Sequence, residues 1–358
     1  MLHLALAQRA RGADVLLACP EPPGGSDRSL AEEALAAKLR PALWLERARG
    51  VQPLRDTWEV SHLRAFLRGR GVDVVHTWHT RDHVLALRAV GHAERPAVIR
   101  SYRRAERIAH TPWNYWLFGP RTAGLLCVSP GTARRNASLR RGRPLCGSFG
   151  AVDLERFQPA AALAERERVR ASLGLAPEHR VLGIVARVQQ KRRFDLLLEA
   201  ARRLFQRDAA ARLLVVGRGT RRRELAEVPA QRKGIADRVV FAGYRRGDYA
   251  AVLGAMDLFT FLVPGSDGTC RALLEAAACG IPAVATRRGA LAEIVEDGVT
   301  GLLVDEEPAA LAAAWGELLE DPGRRARLGA AARCRAERCF TPDRLAAAVA
   351  ALYAEALG

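Results

Sequence analysis

Pro264-Gly-Ser-Asp267-Gly268-Thr269-Cys270-Arg271-Ala-Leu-Leu-Glu275-Ala-Ala-Ala-Cys279-Gly280-Ile-Pro282-Ala-Val-Ala-Thr286 is the stretch on which the reading of this chain turns. It joins a polar, glycine-containing turn to a run of strong helix formers, stops them at Gly280 and Pro282, and ends in a short apolar run. The local reading is a turn, a helix opening at Gly268 to Arg271 and carrying Glu275, then a strand at Ala283–Ala285. Moving outward, the same order recurs: a short β-branched or Leu-rich run, a turn, then a helical period. That order predicts parallel sheets with crossover helices, an α/β fold. Strands are expected at Asp14–Ala18, Val72–His76, Ala97–Arg100, Gly124–Val128, Arg180–Ile184, Arg212–Val216, Val239–Ala242, Leu258–Leu262 and Gly301–Val304. Between them, Leu63, Phe66 and Leu67, and again Leu196, Leu197 and Ala200, fall at helical spacing.

The 358 residues suffice for two domains with their own cores. The charged stretch from Pro159 to Pro177 is the expected boundary region. It divides an N-terminal domain, residues 1–158, from a C-terminal domain, residues 159–341. The capped segment opening at Thr341-Pro342-Asp343 predicts a last helix, 342–358, that packs back on the N-terminal domain. No run of about eighteen uncharged apolar residues suggests a membrane span, and the first twelve residues meet Arg9 and Arg11 too early for a secretory signal, so the expected location is cytoplasmic. The seven cysteines show no C-x-x-C spacing, and neither a disulfide framework nor a metal site is expected.

Several motifs of the C-terminal half, in order, resemble glycosyltransferase family 4. Gly183-Ile-Val-Ala-Arg187-Val-Gln-Gln-Lys191-Arg192-Arg193-Phe194-Asp195 is similar to the family's strand, Arg, Lys-Gly and helix, with Arg193 in place of the usual glycine. Leu214-Val-Val-Gly217-Arg218-Gly219 resembles its V-G-x-G turn, and Val239-Val-Phe-Ala-Gly243-Tyr244 its base-binding strand end. Asp267 and Glu275 reproduce the family's acidic residue and glutamate eight positions apart (275 − 267). Gly289-Ala-Leu-Ala-Glu293-Ile-Val-Glu-Asp-Gly298-Val-Thr-Gly301-Leu-Leu-Val304 closes the series.

The resemblance implies a GT-B architecture, two Rossmann-like domains facing a cleft, and a retaining transferase that takes a sugar from a nucleotide donor without a metal or other cofactor. It assigns catalytic roles to Asp267, Arg187 and Arg192. Glu275, Lys191, Gly268, Thr269, Cys270, Arg271, Gly217, Tyr244 and Arg245 would hold the donor. Lys191 and Arg192 are both eligible to meet the diphosphate. The chemistry is consistent: a glycine-rich helix opening offers backbone N–H groups and a favourable dipole to phosphate, and a carboxylate further along can accept from ribose hydroxyls. As an isolated feature, Glu275 would be an ordinary helix-surface glutamate and Asp267 an N-cap.

In the N-terminal half, Asp73-Val-Val-His76-Thr-Trp78-His79 resembles the family's acceptor-side D-V-V-H-x-H segment with Trp78 at the second histidine's place, and Arg103 stands where many members end a strand in histidine. His76, His79 and Arg103 are therefore the acceptor-side candidates. Gly150-Ala-Val-Asp153-Leu-Glu155-Arg-Phe157-Gln-Pro159 resembles the passage into the linker. Family members open with a strand and glycine-rich turn ahead of the helix that Leu2 to Arg9 represents. The N-terminal domain is accordingly expected to lack its first strand, with a start codon upstream.

Fifty-six basic against 39 acidic residues give a net charge of +17, which attracts anions. Besides the donor, the expected partners are a cell-envelope glycan or lipid-linked saccharide, as in lipopolysaccharide assembly, and an anionic membrane surface at the inner face. The last rests on Arg100, Arg103, Arg104, Arg107 and Arg121 interleaved with Tyr102, Trp113, Tyr115, Trp116 and Phe118. The plainer reading makes Trp113, Trp116 and Leu117 the buried face of a helix. The competing functions are a degenerate, inactive protein of the same fold and a basic nucleic-acid-binding protein. The latter is disfavoured by the lack of zinc-finger, RNA-binding aromatic or basic-zipper signatures.

Overall fold

The expected alternation builds parallel sheets: every strand pairing described is parallel. The computed structural model describes the whole chain except residues 23–28, 47–55, 94, 160–162, 246 and 265–268. The strands are β1 (Leu17–Pro20), β2 (Pro41–Leu45), β3 (Val74–Thr77), β4 (Ala97–Tyr102), β5 (Gly124–Cys127), β6 (Leu145–Gly147), β7 (Arg180–Val185), β8 (Ala211–Val216), β9 (Val239–Gly243), β10 (Leu258–Phe261), β11 (Ala283–Thr286) and β12 (Gly301–Val304). The first six helices are α1 (Leu2–Ala10), α2 (Leu30–Ala36), α3 (Asp56–Arg70), α4 (Thr80–Val90), α5 (Pro112–Phe118) and α6 (Pro130–Arg140). The next are α7 (Leu163–Ser172), α8 (Phe194–Phe205), α9 (Val228–Arg232), α10 (Tyr249–Gly254), α11 (Arg271–Ala278) and α12 (Leu291–Ile294). The chain then runs through α13 (Pro308–Glu320), α14 (Pro322–Cys339) and α15 (Pro342–Leu357).

The chain divides into two units, Met1–Ala151 with Pro342–Gly358, and Val152–Thr341. The charged stretch read as a boundary forms α7, part of the second unit. The physical cause is Asp257, whose two carboxylate oxygens take Arg166 at 2.6 Å and Arg170 at 2.5 Å and also accept the Val181 N–H at 2.7 Å. The division falls instead at Ala151/Val152, where the Val152 N–H donates to the Phe340 carbonyl at 2.8 Å and Arg333 holds the Phe157 carbonyl at 2.7 Å.

In the first unit, β3-β4-β5-β6 form one sheet in sequence order, while β1 and β2 form a separate two-stranded sheet. The strand expected at Asp14–Ala18 begins at Leu17. Beneath the four-stranded sheet, α1 and α15 bury Leu4, Ala7, Ala346, Val349 and Leu352 against Ile99 and Leu126. Gly124 permits that packing, because a Cβ there would stand 2.7 Å from Ile99 Cδ1 and 3.1 Å from Leu352 Cδ1. The opposite face carries Val98 and Leu125 against Val84 and Leu87 of α4, so alternate residues of β4 address different helices.

The second unit orders its six strands β12-β11-β10-β7-β8-β9. The chain leaves β7 to one side for β8 and β9, then returns to β7's other edge with β10. This reversal makes the carboxyl ends of β7 and β10 a topological switch point, where doubly wound sheets bind ligands. The core below is continuous: Leu196, Leu197, Ala200 and Leu204 of α8 meet Leu311, Trp315 and Leu318 of α13. Trp315 is fully buried, with its Nε1 donating to Thr260 Oγ1 at 2.8 Å, the polar partner a buried indole requires.

Candidate functional site

Two loops leave the β7/β10 switch point, and the predicted residues sort onto them and their neighbours within the second unit. After β7 the chain presents Arg187, exposed, then a 3₁₀ turn over Gln190–Arg192. Lys191 is exposed, whereas Arg192 is partly buried and its Nη1 reaches across to the carbonyls of Val263 and Pro264, each at 3.1 Å, on the loop after β10. Arg193 explains why a glycine suits its position. Its φ of 55° and ψ of 44° lie in the left-handed region, which costs a residue with a Cβ about 1–2 kcal/mol. Its guanidinium is held by Asp195 at 3.2 Å and Glu306 at 3.0 Å, so it faces its own helix opening and the β12 side.

Residues 265–268 lie outside the described residues, so Asp267 and Gly268 have no described position. The description resumes at Thr269, and Cys270, buried and left-handed at φ 50°, is the N-cap of α11. Arg271, exposed, opens the helix. One turn on, the Glu275 carboxylate accepts the Tyr249 hydroxyl through Oε2 at 2.8 Å. Burial first, and then this carboxylate, push the Tyr249 phenol well above its ordinary range, so it remains a hydrogen-bond donor. Phe157 meets the Tyr249 ring edge-on at 5.8 Å, fixing its direction. Tyr249 is a candidate site residue that sequence reasoning missed; only the structure reveals that α10 reaches α11 through this bond.

The remaining wall comes from the ends of β8 and β9. The Gly217 N–H donates to the Gly243 carbonyl at 2.7 Å. Gly217 has φ 140°, and a Cβ there would stand 2.2 Å from the Ala186 carbonyl oxygen, so only glycine brings this turn against the end of β7. Beyond Gly243, Tyr244 is exposed with the Arg218 guanidinium 4.9 Å from its ring centre, and Arg245 donates from Nε to Asp248 at 3.1 Å. Arg187, Lys191, Arg192, Gly217, Tyr244, Arg245, Thr269, Cys270 and Arg271 thus lie on loops and a helix start that follow strands of one sheet, with Glu275 one turn into α11.

The acceptor-side candidates separate in the first unit. The partly buried His76 ring has both nitrogens engaged, Nδ1 with Tyr353 Oη at 2.7 Å and Nε2 with Ser101 Oγ at 2.8 Å, and it stacks on Trp78 with ring centres 4.1 Å apart. Burial, reinforced by nearby positive charge including Arg100, pushes its pKa down to about 3, so the ring is neutral at physiological pH. His79 is exposed at the N-cap of α4, with its N–H donating to Asp82 at 3.3 Å, and Arg103 is partly buried just past β4. His83, which sequence reasoning passed over, is fully buried between Thr77, Leu117 and Thr122, and burial likewise holds it near a pKa of about 3. Among the described residues, no group of three or more His, Cys, Asp or Glu is placed to hold a metal ion.

Comparison with known proteins gives this arrangement its family. Residues 1–144 match the profile of Glycosyltransferase Family 4, and residues 179–321 match that of Glycosyl transferases group 1. The chain belongs to glycosyltransferase family 4. Similar curated family members include the D-inositol 3-phosphate glycosyltransferase of Salinispora tropica, 39% identical over 220 residues, covering 58% of this chain and 45% of that protein. That of Xylanimonas cellulosilytica is 36% identical over 222 residues, covering 57% and 50%. The chain thus spans about half the length of the curated relatives it matches. Among solved structures, Anabaena HepE in complex with UDP and glucose has a TM-score of 0.79 at 19% identity, covering 99% of this chain and 95% of that one. A glycosyltransferase from Rickettsia africae gives 0.83 at 16% identity, covering 99% and 93%. These likenesses show the fold, GT-B with two parallel-sheet Rossmann-like domains.

Proposed function

We propose that this family 4 chain transfers a sugar from a nucleoside-diphosphate donor to an acceptor hydroxyl with retention of configuration. The observation that carries the proposal is the convergence, at the β7/β10 switch point, of the Arg187–Arg192 loop with the opening of α11 and the Tyr249-braced Glu275. In this reading Arg187 and Arg192, aided by Lys191, meet the negative charge that builds on the departing diphosphate, the quantity the reaction must stabilise. The backbone around Gly268, Thr269, Cys270 and Arg271 approaches the phosphates. Glu275 accepts the ribose hydroxyls, while Gly217, Tyr244 and Arg245 border the base, and Asp267 faces the sugar. With both His76 nitrogens engaged, the leaving phosphate itself takes the acceptor proton. The donor of the HepE complexes, UDP-glucose, is the first to test. A thermal-shift panel of nucleoside diphosphates, followed by labelled sugar nucleotides, checks the proposal. One base should stabilise the protein at micromolar concentration. Stabilisation by oligonucleotides alone would reject it in favour of a nucleic-acid binder.

The proposed acceptor is a cell-envelope glycan or lipid-linked saccharide, with the protein docked at the cytoplasmic face of the membrane. Among the described residues no helix is long and apolar enough to cross a bilayer. Support for peripheral contact comes from α5, where Leu117 and Phe118 are buried but Trp113 and Tyr115 are 51% and 40% exposed. Trp113 stacks on Trp116 at 5.1 Å, and Arg141 lies 5.4 Å from the Tyr115 ring, an arrangement suited to an anionic interface. The combined Trp113→Ala and Tyr115→Ala change is expected to reduce co-sedimentation with anionic vesicles at low salt at least 10-fold. Equal sedimentation of variant and parent would reject this docking face.

A further inference from the structure

Arg100 occupies an unusual position for a charged side chain. It lies in β4 in register with Thr77 of β3, and α4 begins three residues beyond Thr77. Alternation along β4 puts Arg100 on the face of Val98, the face that packs against α4, rather than with Ile99 on the α15 side. The residue is only 6% exposed. Among the described residues its Nε and Nη1 are buried with no hydrogen-bond partner, and Nη2 makes one long contact, 3.5 Å, to Thr80 Oγ1 at the first position of α4. Asp82 is the nearby carboxylate, but its hydrogen bond goes to the His79 N–H at 3.3 Å. Arg103 adds positive charge to the same neighbourhood.

An uncompensated buried guanidinium is strongly destabilising, and native chains keep one only where something else meets it. Here the fork ends at the N-terminus of α4, an eleven-residue helix whose capping box pairs His79 with Asp82 and whose first turn still carries the positive end of its dipole. The unpartnered guanidinium nitrogens, the positive end of α4 and the Thr80 hydroxyl together supply more donors than acceptors. That set fits a tetrahedral oxyanion.

We propose that Arg100, Thr80 and the first turn of α4 form a phosphate-binding site in the first unit, separate from the donor site of the second. Its ligand is a phosphate monoester. If the transferase reading above holds, the phosphate is carried by the acceptor, and the site selects acceptors bearing one.

Thermal melting of the full chain against inorganic phosphate and glycerol 3-phosphate, at constant ionic strength, tests the site without any need for turnover. A saturable rise in Tm of about 3 °C or more is expected with both. Glycerol 3-phosphate should saturate at lower concentration if an acceptor phosphate is the ligand, and inorganic phosphate at an equal or lower one if the site takes free phosphate. Arg100→Met should abolish the rise. Its own Tm should equal or exceed that of the parent, because a buried unpaired charge has been removed. Should Arg100→Met fail to fold, Thr80→Val, which keeps the charge, is expected to weaken the response at least 5-fold. Arg192→Met should leave the response intact, which separates this site from the donor site. The proposal is overturned if the parent shows no saturable response, if Arg100→Met and Thr80→Val both retain it, or if Arg192→Met alone abolishes it.

Discussion

Glu275→Gln is expected to weaken binding of the matching nucleoside diphosphate about 100-fold while leaving the melting temperature within about 2 °C of the parent. The size follows from two hydrogen bonds to a charged acceptor, each worth about 1.5–3 kcal/mol, becoming bonds to a neutral one. The small effect on stability follows from Tyr249. Its hydroxyl donates to Glu275 Oε2 at 2.8 Å, and the glutamine carbonyl can still accept it. Glu275→Ala is the contrasting variant, because it removes that acceptor and leaves the phenol beside Phe157 without its partner, so its Tm should fall as well. Tyr249→Phe, which keeps the packing and removes one hydrogen bond to the carboxylate, should cost about 10-fold in affinity with little change in Tm. Titration calorimetry reads all three. Undiminished nucleotide binding by Glu275→Gln would make Glu275 a structural brace for α10 and nothing more.

Replacing Arg192 by methionine should lower turnover about 1000-fold, the upper range for loss of one preorganised donor at a developing charge. Arg192 joins the loops that leave both sides of the switch point, through its hold on the Val263 and Pro264 carbonyls. Among the described residues exposed Lys191 makes no such contact, and Lys191→Met should cost about 10-fold. Arg192→Lys separates charge from tether: a point charge without the fork should recover a tenth or less of the lost rate. With a labelled donor, the loss should fall on kcat more than on the donor's KM. A larger loss in Lys191→Met than in Arg192→Met would transfer the leaving-group role to Lys191 and reduce Arg192 to a loop tether.

The parts of this molecule that short-range chemistry decides were legible in its letters. The strand at Gly301–Val304 lies where its Leu-rich run predicts, and α11 opens after the glycine-rich turn and ends before Gly280. The substitution at Arg193 was visible as well, but its cause was not, since a left-handed backbone leaves no trace in a string of residues. Two strands escaped notice for different reasons. Pro41–Leu45 opens on a proline, and Leu145–Gly147 is a three-residue edge strand containing cysteine and glycine, both weak strand signals. The contacts that set the chemistry of His76 were further out of reach. One of its partners, Tyr353, lies 277 positions away, and no local pattern joins them. Arg100 looked like one arginine in a basic, aromatic segment, and its burial emerges only when Thr77 and α4 are placed beside it.

The chain passes from the first unit to the second at Ala151/Val152 and returns at Thr341/Pro342. This has a consequence for synthesis. The first unit is begun first but cannot be closed until α15 emerges, because Val349 and Leu352 bury Ile99 and Leu126, and Tyr353 completes the bonding of His76. On the ribosome, the 190 residues of the second unit, Val152–Thr341, are made while the face of the β3–β6 sheet that awaits α15 stays uncovered. The second unit is therefore inserted within the sequence of the first, and α15 serves as the clasp that closes the first unit.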